Sequence, residues 1–138
     1  MLPVDMDQPS ERRRIVFFIA VGCLAAAVHW TVVVWLVGHG AWRPLVANVL
    51  GWLVAFGVSF VGHHRLTFGD HGATLAFVVP RFLAVSAGGF LVNEAAYASL
   101  LHWSSLRYDL VLAVVLVGVA VATYLLSRHW AFPGSRGR

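Results

Sequence analysis

The chain has 138 residues, of which 59% are hydrophobic and 12% are charged, with a formal net charge of +4 at pH 7. The charged share is far below the roughly 25% of soluble domains, and the core of one small domain could not hide so much apolar surface. All ten basic residues are arginines that flank apolar runs. They therefore bear on membrane topology and anionic lipid, and binding to nucleic acid is not expected.

The N-terminal segment, residues 1–14, is polar and ends in the arginines Arg12 to Arg14. A basic segment before an apolar run also occurs in signal peptides. The run that follows, Ile15–Val37, is too long for the core of a signal peptide, and no small-residue cleavage site follows it. It is therefore predicted to be a retained first span. Cys23 lies inside this run, where we expect a small buried residue and neither a disulfide nor a metal ligand.

Three further apolar stretches are each close to the roughly 20 residues that cross the hydrocarbon core. They are about Leu45–Gly62, Phe82–Leu101 and Asp109–Ser127. Pro80 is expected in the first turn of the third helix, where no backbone donor is lost, after a short interfacial segment at 74–79. The predicted fold is an all-α membrane protein with four transmembrane helices in residues 15–132. The tail, residues 133–138, is expected to be disordered.

The connections between these stretches contain turn-forming and interfacial residues. Gly38-His39-Gly40 is predicted to break the first helix, and Gly69-Asp70-His71-Gly72 is predicted to form the middle loop. Trp42-Arg43-Pro44 and Trp103-Ser104-Ser105 are predicted to be interfacial turns. Eight arginines fall on the side of the termini and the middle loop, against two on the other side. Both termini and the middle loop are therefore expected on the cytoplasmic side of the membrane.

The second half of the chain repeats the first with a period of 64 residues and no gap. Polar residues that interrupt the apolar runs also align, since His29 pairs with Asn93 and Ser59 pairs with Thr123. Each half has two spans, so both halves enter the membrane from the same side. The predicted arrangement is two parallel-repeat helical hairpins related by an axis along the membrane normal.

Small and polar residues recur at spacings of three or four in the later spans and therefore share one helical face. In the second span they are Asn48, Gly51, Ala55, Ser59 and Gly62. The simpler interpretation is helix packing, in which small residues allow close approach and polar residues bond across helices. The alternative is a polar path through the membrane, formed by His29, Asn48, Ser59, Asn93, Glu94, Thr123 and Ser127.

Two ionisable residues near the membrane centre need more than packing to explain them. An ionised Glu94 would cost at least about 2.5 kcal/mol there, so it must be protonated, paired or in contact with water. His29 is expected to hydrogen-bond Asn93 or Glu94, or else to act as a ligand or proton carrier.

A basic group is expected at one headgroup level: Arg65, Arg81 and Arg128, with His63 and His64. These residues either fix topology or bind a lipid phosphate or pyrophosphate, because guanidinium groups hold phosphate in a bidentate fork. The sequence shows no nucleophile–base pair, metal-ligand spacing or phosphate loop. Neither catalysis nor a cofactor is therefore expected.

From about Arg14 to Phe132 the chain resembles the GtrA-like family, small four-span membrane proteins of bacterial cell-surface polysaccharide synthesis. The family motif A-N-x-x-G is Ala47–Gly51 here, and S-F-x-x-N-R-x-W-T-F is Ser59–Phe68. The fourth span ends in a similar N-R-x-W-x-F at Ser127–Phe132. This chain has His29 where Asp is common, and Arg65 follows one residue later than the arginine of the motif.

The resemblance implies that the protein moves, or helps to move, a polyprenyl-phosphate-linked sugar across the membrane for an outward-facing glycosyltransferase. The basic group would hold the phosphate, and the polar path would contact sugar hydroxyls. Four helices make a very small path, so a homodimer or larger assembly is expected. One alternative is a scaffold that recruits a glycosyltransferase and transports nothing. Another is a small proton-coupled exporter, although small multidrug exporters have a glutamate in the first span and this chain has none there.

Overall fold

The computed structural model describes residues 11–67 and 75–131, with side chains described for 12–13, 15–65 and 79–122. Four α-helices account for most of these residues: α1 (Glu11–Gly40), α2 (Pro44–Gly62), α3 (Leu75–Trp103) and α4 (Tyr108–Ala131). A π-helical turn, His63–Thr67, follows α2. The described residues contain no strand, so the predicted all-α class is confirmed.

Contacts between the helices define two ends of the bundle. At one end the ring of His63 lies 4.8 Å from the ring of Phe18 in α1 and 5.9 Å from the ring of Phe82 in α3. At the other end the indole of Trp30 in α1 donates a 3.0 Å hydrogen bond to the carbonyl oxygen of Asp109, at the start of α4. Consecutive helices therefore run in opposite directions.

The turn between α1 and α2 uses one left-handed residue and one proline. Ala41 has a φ of 52°, a conformation that commonly ends a helix and is usually taken by glycine. Arg43 is extended, with φ −66° and ψ 135°, as the residue before a proline prefers to be. Pro44 then begins α2, where its missing N–H costs no hydrogen bond.

α1 and α2 approach closely because glycines of α2 face α1. A β-carbon on Gly51 would lie 2.7 Å from Cδ2 of His29 and 3.0 Å from its carbonyl oxygen. A β-carbon on Gly62 would lie 2.7 Å from Cγ1 of Val21. No side chain fits at either position without a shift, so the packing interpretation is confirmed for these two residues.

A buried core joins all four helices toward the end that carries the α1–α2 turn. The hydroxyl of Tyr97 donates a 3.1 Å hydrogen bond to the carbonyl oxygen of Tyr108, which ties α3 to the start of α4. The aliphatic residues around it come mainly from α1 and the first turns of α2 and α4. The buried members are Val33, Ala47, Tyr97, Val111, Leu112 and Val115.

The outer surface of the bundle is apolar, as lipid-facing surfaces are. Val85, Leu91 and Val117 are 79%, 68% and 65% exposed. Within the described part of the chain, two stretches are long and apolar enough to cross a membrane, Ile15–Gly40 and Pro44–Arg65. Cys23 is exposed on this surface, so its expected burial is wrong. An apolar sequence context does not distinguish a packed core from a lipid-facing surface.

Four helix boundaries differ from those predicted. α1 begins at Glu11, four residues before the predicted first span. α1 continues through Gly38-His39-Gly40, where the His39 ring nitrogen donates a 3.2 Å hydrogen bond to the carbonyl oxygen of Trp35. Pro80 lies inside α3, which also includes most of the segment predicted to be separate. One proline removes one intrahelical bond, and in apolar surroundings the remaining backbone groups still need the helix. α4 continues to Ala131, whereas the predicted middle loop and C-terminal tail lie outside the described residues.

Candidate functional site

Four polar side chains from three helices meet inside the bundle and form the polar cluster: His29 of α1, Asn48 of α2, and Asn93 and Glu94 of α3. Asn48 lies at its centre, with Oδ1 2.7 Å from Nε2 of His29. Its Nδ2 lies 2.9 Å from Oδ1 of Asn93 and 2.5 Å from Oε2 of Glu94. His29, Asn48 and Asn93 are buried, and Glu94 is half-buried.

The contacts of Asn48 assign the donors and acceptors of the cluster. An amide oxygen only accepts, so Nε2 of His29 carries the hydrogen that it shares with Asn48. The amide nitrogen of Asn48 has two hydrogens, and it donates one to Asn93 and one to Glu94. Every polar atom of this fully buried side chain thus has a partner, as a buried amide requires.

The expected direct bond from His29 to Asn93 or Glu94 is wrong, because Asn48 lies between them. α1 packs tightly on α2 at Gly51, so the His29 ring meets α2 before it can reach α3. The expectation that His29, Asn93 and Glu94 gather at one place is confirmed by the shared contacts to Asn48.

The polar cluster lies beyond the middle of the bundle, away from the arginine-rich end, where Arg65 follows α2 and Arg81 lies near the start of α3. Asn48 is 17 residues from Arg65, or about 25 Å along α2, but only 5 residues from Arg43, or about 8 Å. Along α3, Glu94 is 13 residues from Arg81, or about 20 Å. The cluster and the arginines are therefore two separate sites, about four to five turns of helix apart.

Aromatic side chains join α2 to α3 between these two sites and form the aromatic seam: Trp52, Phe56 and Phe60 of α2, and Phe82 and Phe90 of α3. Residues four apart lie on one face of a helix. The seam continues this spacing into the neighbouring polar residues of each helix. On α2 the row is Asn48, Trp52, Phe56, Phe60 and His64, and on α3 it is Phe82, Ser86, Phe90 and Glu94.

The rings of the aromatic seam contact one another between α2 and α3. The rings of Trp52 and Phe90 are stacked, with centroids 4.6 Å apart. The Phe82 centroid lies 5.6 Å from that of Phe56 and 5.7 Å from that of Phe60. All five rings are partly exposed. This aromatic face lies beside the small-residue face of α2. It was not predicted, although the repeated four-residue spacing is visible in the sequence.

The arginine-rich end contains most of the predicted phosphate-binding residues. His64, Arg65 and Arg81 are exposed there, whereas His63 is 6% exposed and contacts rings from both α1 and α3. Arg65 lies in the π-helical turn His63–Thr67.

The remaining residues of the predicted polar path and phosphate site lie on α2 and α4. Ser59 is half-buried farther along α2, beside the aromatic seam. Thr123, Ser127 and Arg128 lie on the backbone of α4, and their side chains are outside the described part. Their predicted roles stay predictions.

An apolar groove of about 400 Å³ opens between α3 and α4, away from the polar cluster. Small residues create it, because they leave space where larger side chains would pack. They are Gly89, Ala96, Gly118 and Ala122.

An all-helical bundle with an apolar outer surface, a buried polar cluster and an arginine-rich end is a membrane protein. The chain matches the family model described as GtrA/DPMS, transmembrane domain, over residues 17–132, and it belongs to this family. The resemblance found in the sequence is thereby confirmed. Comparisons with curated proteins and with solved structures give no match. Family membership indicates a role in glycan synthesis at membranes.

Proposed function

We propose that the protein moves, or helps to move, a polyprenyl-phosphate-linked sugar across the bacterial cytoplasmic membrane for cell-surface glycan synthesis. The observation that carries this proposal is the polar cluster. Polar and ionisable side chains inside a membrane are costly, and they commonly mark the pathway of a substrate. Amide, imidazole and carboxyl groups offer donors and acceptors together, which is what sugar hydroxyls require.

In this proposal α1 to α4 all cross the membrane as two like-oriented hairpins. The burial of positions 64 residues apart supports the repeat, since His29 and Asn93 are both buried, as are Val33 and Tyr97. Two further pairs behave in the same way: Ala47 with Val111, and Asn48 with Leu112.

The arginine-rich end would face the cytoplasm, together with both termini, by the excess of arginine on that side. Arg65 and Arg81 would meet the lipid phosphate there, with Arg128 as a third member and His64 beside them. Guanidinium groups suit this role because they bind phosphate through two parallel hydrogen bonds. His63 would act mainly as a packing residue, since it is buried between aromatic rings.

The proposed partners are the lipid-linked sugar, membrane lipid, a membrane glycosyltransferase and further copies of the chain. Four helices enclose little space, and the polar groups of Asn48 are all bonded within the cluster. A homodimer or larger assembly would therefore widen the path.

Reconstitution in liposomes tests the proposal with a fluorescent short-chain polyprenyl-phosphate sugar. Replacement of Arg65, Arg81 and Arg128 by alanine should abolish its transfer between leaflets. The matched control replaces Arg43 and Arg107, at the opposite end, and should keep most of the transfer. Equal transfer by both variants, in folded protein, would show that the phosphate site is assigned wrongly.

A second candidate function is a scaffold that recruits a glycosyltransferase and transports nothing. The apolar groove between α3 and α4 favours it, because small residues on a lipid-facing surface allow another helix to approach closely. A scaffold would give no transfer of the labelled lipid in liposomes. It would still co-purify with its glycosyltransferase, and Gly118→Leu in the groove should disrupt that association.

A further inference from the structure

We propose that the aromatic seam is the surface on which the sugar ring travels between the arginine-rich end and the polar cluster. The inference rests on the proposed function and adds to it a route and a ligand class, a hexopyranose carried on a polyprenyl phosphate. Between the two polar sites lie about 20–25 Å of helix, a distance much longer than a sugar ring.

The seam is the part of the bundle that spans this gap. Its rows on α2 and α3 begin at Asn48 and Glu94, which bond to each other in the polar cluster. At the other end the row on α2 reaches His64, whose ring lies 5.8 Å from that of Phe60. The row on α3 reaches Phe82, the residue after Arg81. The same two helix faces therefore connect both polar sites.

Aromatic rings suit a pyranose better than aliphatic side chains do. One face of a pyranose carries several C–H groups with slight positive charge, and the face of an aromatic ring is negative. A sugar can thus keep favourable contact with a ring while its hydroxyls remain unbonded or hydrated. The rings of the seam are partly exposed, whereas the core toward the other end of the bundle is mainly aliphatic and closed.

Trp52 and Ser86 supply polar contacts within the seam. The indole nitrogen of Trp52 donates a 3.0 Å hydrogen bond to the hydroxyl oxygen of Ser86. This bond holds the indole plane against Phe90, with which it is stacked at an angle of 17°. The hydroxyl and the indole lie between Asn48 and Phe56 on the path, where they can exchange hydrogen bonds with a passing sugar.

Lipid binding to the full-length protein in nanodiscs tests the inference with two probes: a short-chain polyprenyl phosphohexose and the same polyprenyl phosphate without sugar. Trp52→Leu and Phe82→Leu should weaken binding of the sugar-bearing lipid by about two- to tenfold, the range that aromatic contacts supply. Binding of the sugar-free lipid should not change. Phe82→Tyr keeps a ring and should bind both lipids as the wild type does. Trp35→Leu is the control, because Trp35 stacks on His39 at the opposite end.

Each other outcome overturns a specific step. If the leucine variants lose both lipids equally, the seam only packs α2 against α3, and the inference is wrong. If the wild type binds both lipids with equal affinity, or the leucine variants bind the sugar-bearing lipid normally, the rings do not contact the sugar. If the wild type binds neither lipid, the proposed function fails, and this inference fails with it.

Discussion

Replacement of Gly51 by alanine should destabilise the bundle, whereas the same change at Gly57 should not. The added methyl group at Gly51 would lie 2.7 Å from Cδ2 of His29, 2.8 Å from Cγ2 of Val33 and 3.0 Å from the His29 carbonyl oxygen. A side chain could rotate away, but the carbonyl oxygen belongs to the α1 backbone. Relief therefore requires α1 and α2 to move apart. Gly57 has nothing within 4 Å of the same position.

The pair of variants separates this clash from helix propensity. Both glycines lie inside α2, and each change to alanine gains about 1 kcal/mol of propensity. Overpacking costs about 1–3 kcal/mol, so the two variants should differ in free energy of unfolding by about that amount. Unfolding by SDS in mixed micelles, followed by circular dichroism, measures the difference. Equal stability of the two variants would refute the close approach of α1 and α2.

Four further experiments test separate parts of the structure. Asn48→Leu removes three hydrogen bonds and should lower the free energy of unfolding by about 2 kcal/mol, at about 0.6 kcal/mol for each bond inside a membrane. Unchanged stability in the SDS titration would contradict the central role of Asn48. Leu112→Ala should lower the free energy of unfolding by about 2–5 kcal/mol in the same titration, because Leu112 is 0% exposed. Its control, Val114→Ala, changes a 59% exposed position and should lower it by less than about 0.5 kcal/mol. Ala41→Gly should raise stability by about 1 kcal/mol, because alanine is strained at φ 52° and glycine is not. Cys23 should resist a membrane-impermeant maleimide in intact vesicles and react after SDS unfolding, whereas fast labelling in vesicles would place it in water.

The sequence predicted the elements well where a residue acts locally. Pro44 begins α2 and Trp103 ends α3, within about one or two residues of the predicted limits. Both signals depend on a property of one residue. Pro44 lacks a backbone donor, and Trp103 has a ring that favours the membrane interface. Pro80 was wrongly predicted in the first turn of α3. The preference of proline for a first turn competes there with the need of the backbone for hydrogen bonds in apolar surroundings. In apolar surroundings a helix persists through one missing hydrogen bond.

The four residues of the polar cluster were predicted as part of a longer polar path that also included Ser59, Thr123 and Ser127, and the contacts among the four were not predicted. Periodicity gives the helical faces on which Asn48 and Asn93 lie, and it does not give the neighbouring helix that each face meets. That depends on the distance between helix axes, which Gly51 sets through its contact with His29. The hydrogen bonds of Asn48 to both neighbouring helices follow from this packing and could not be read from spacing alone.

The two halves of the chain differ at the positions where the path is proposed to lie. The residues 64 positions after Asn48, Trp52, Phe56 and Phe60 are Leu112, Leu116, Ala120 and Tyr124. Leu112 is fully buried in the core, whereas its counterpart Asn48 is the centre of the polar cluster. The aliphatic helix α4 can therefore close the core without polar partners. We infer a division between the hairpins, in which Leu112 and Leu116 of α4 contribute apolar packing that offsets the cost of the polar groups along the proposed path. Exchange of Leu112 for asparagine would add an amide to that core, and its cost in free energy of unfolding would measure how far the two hairpins have diverged.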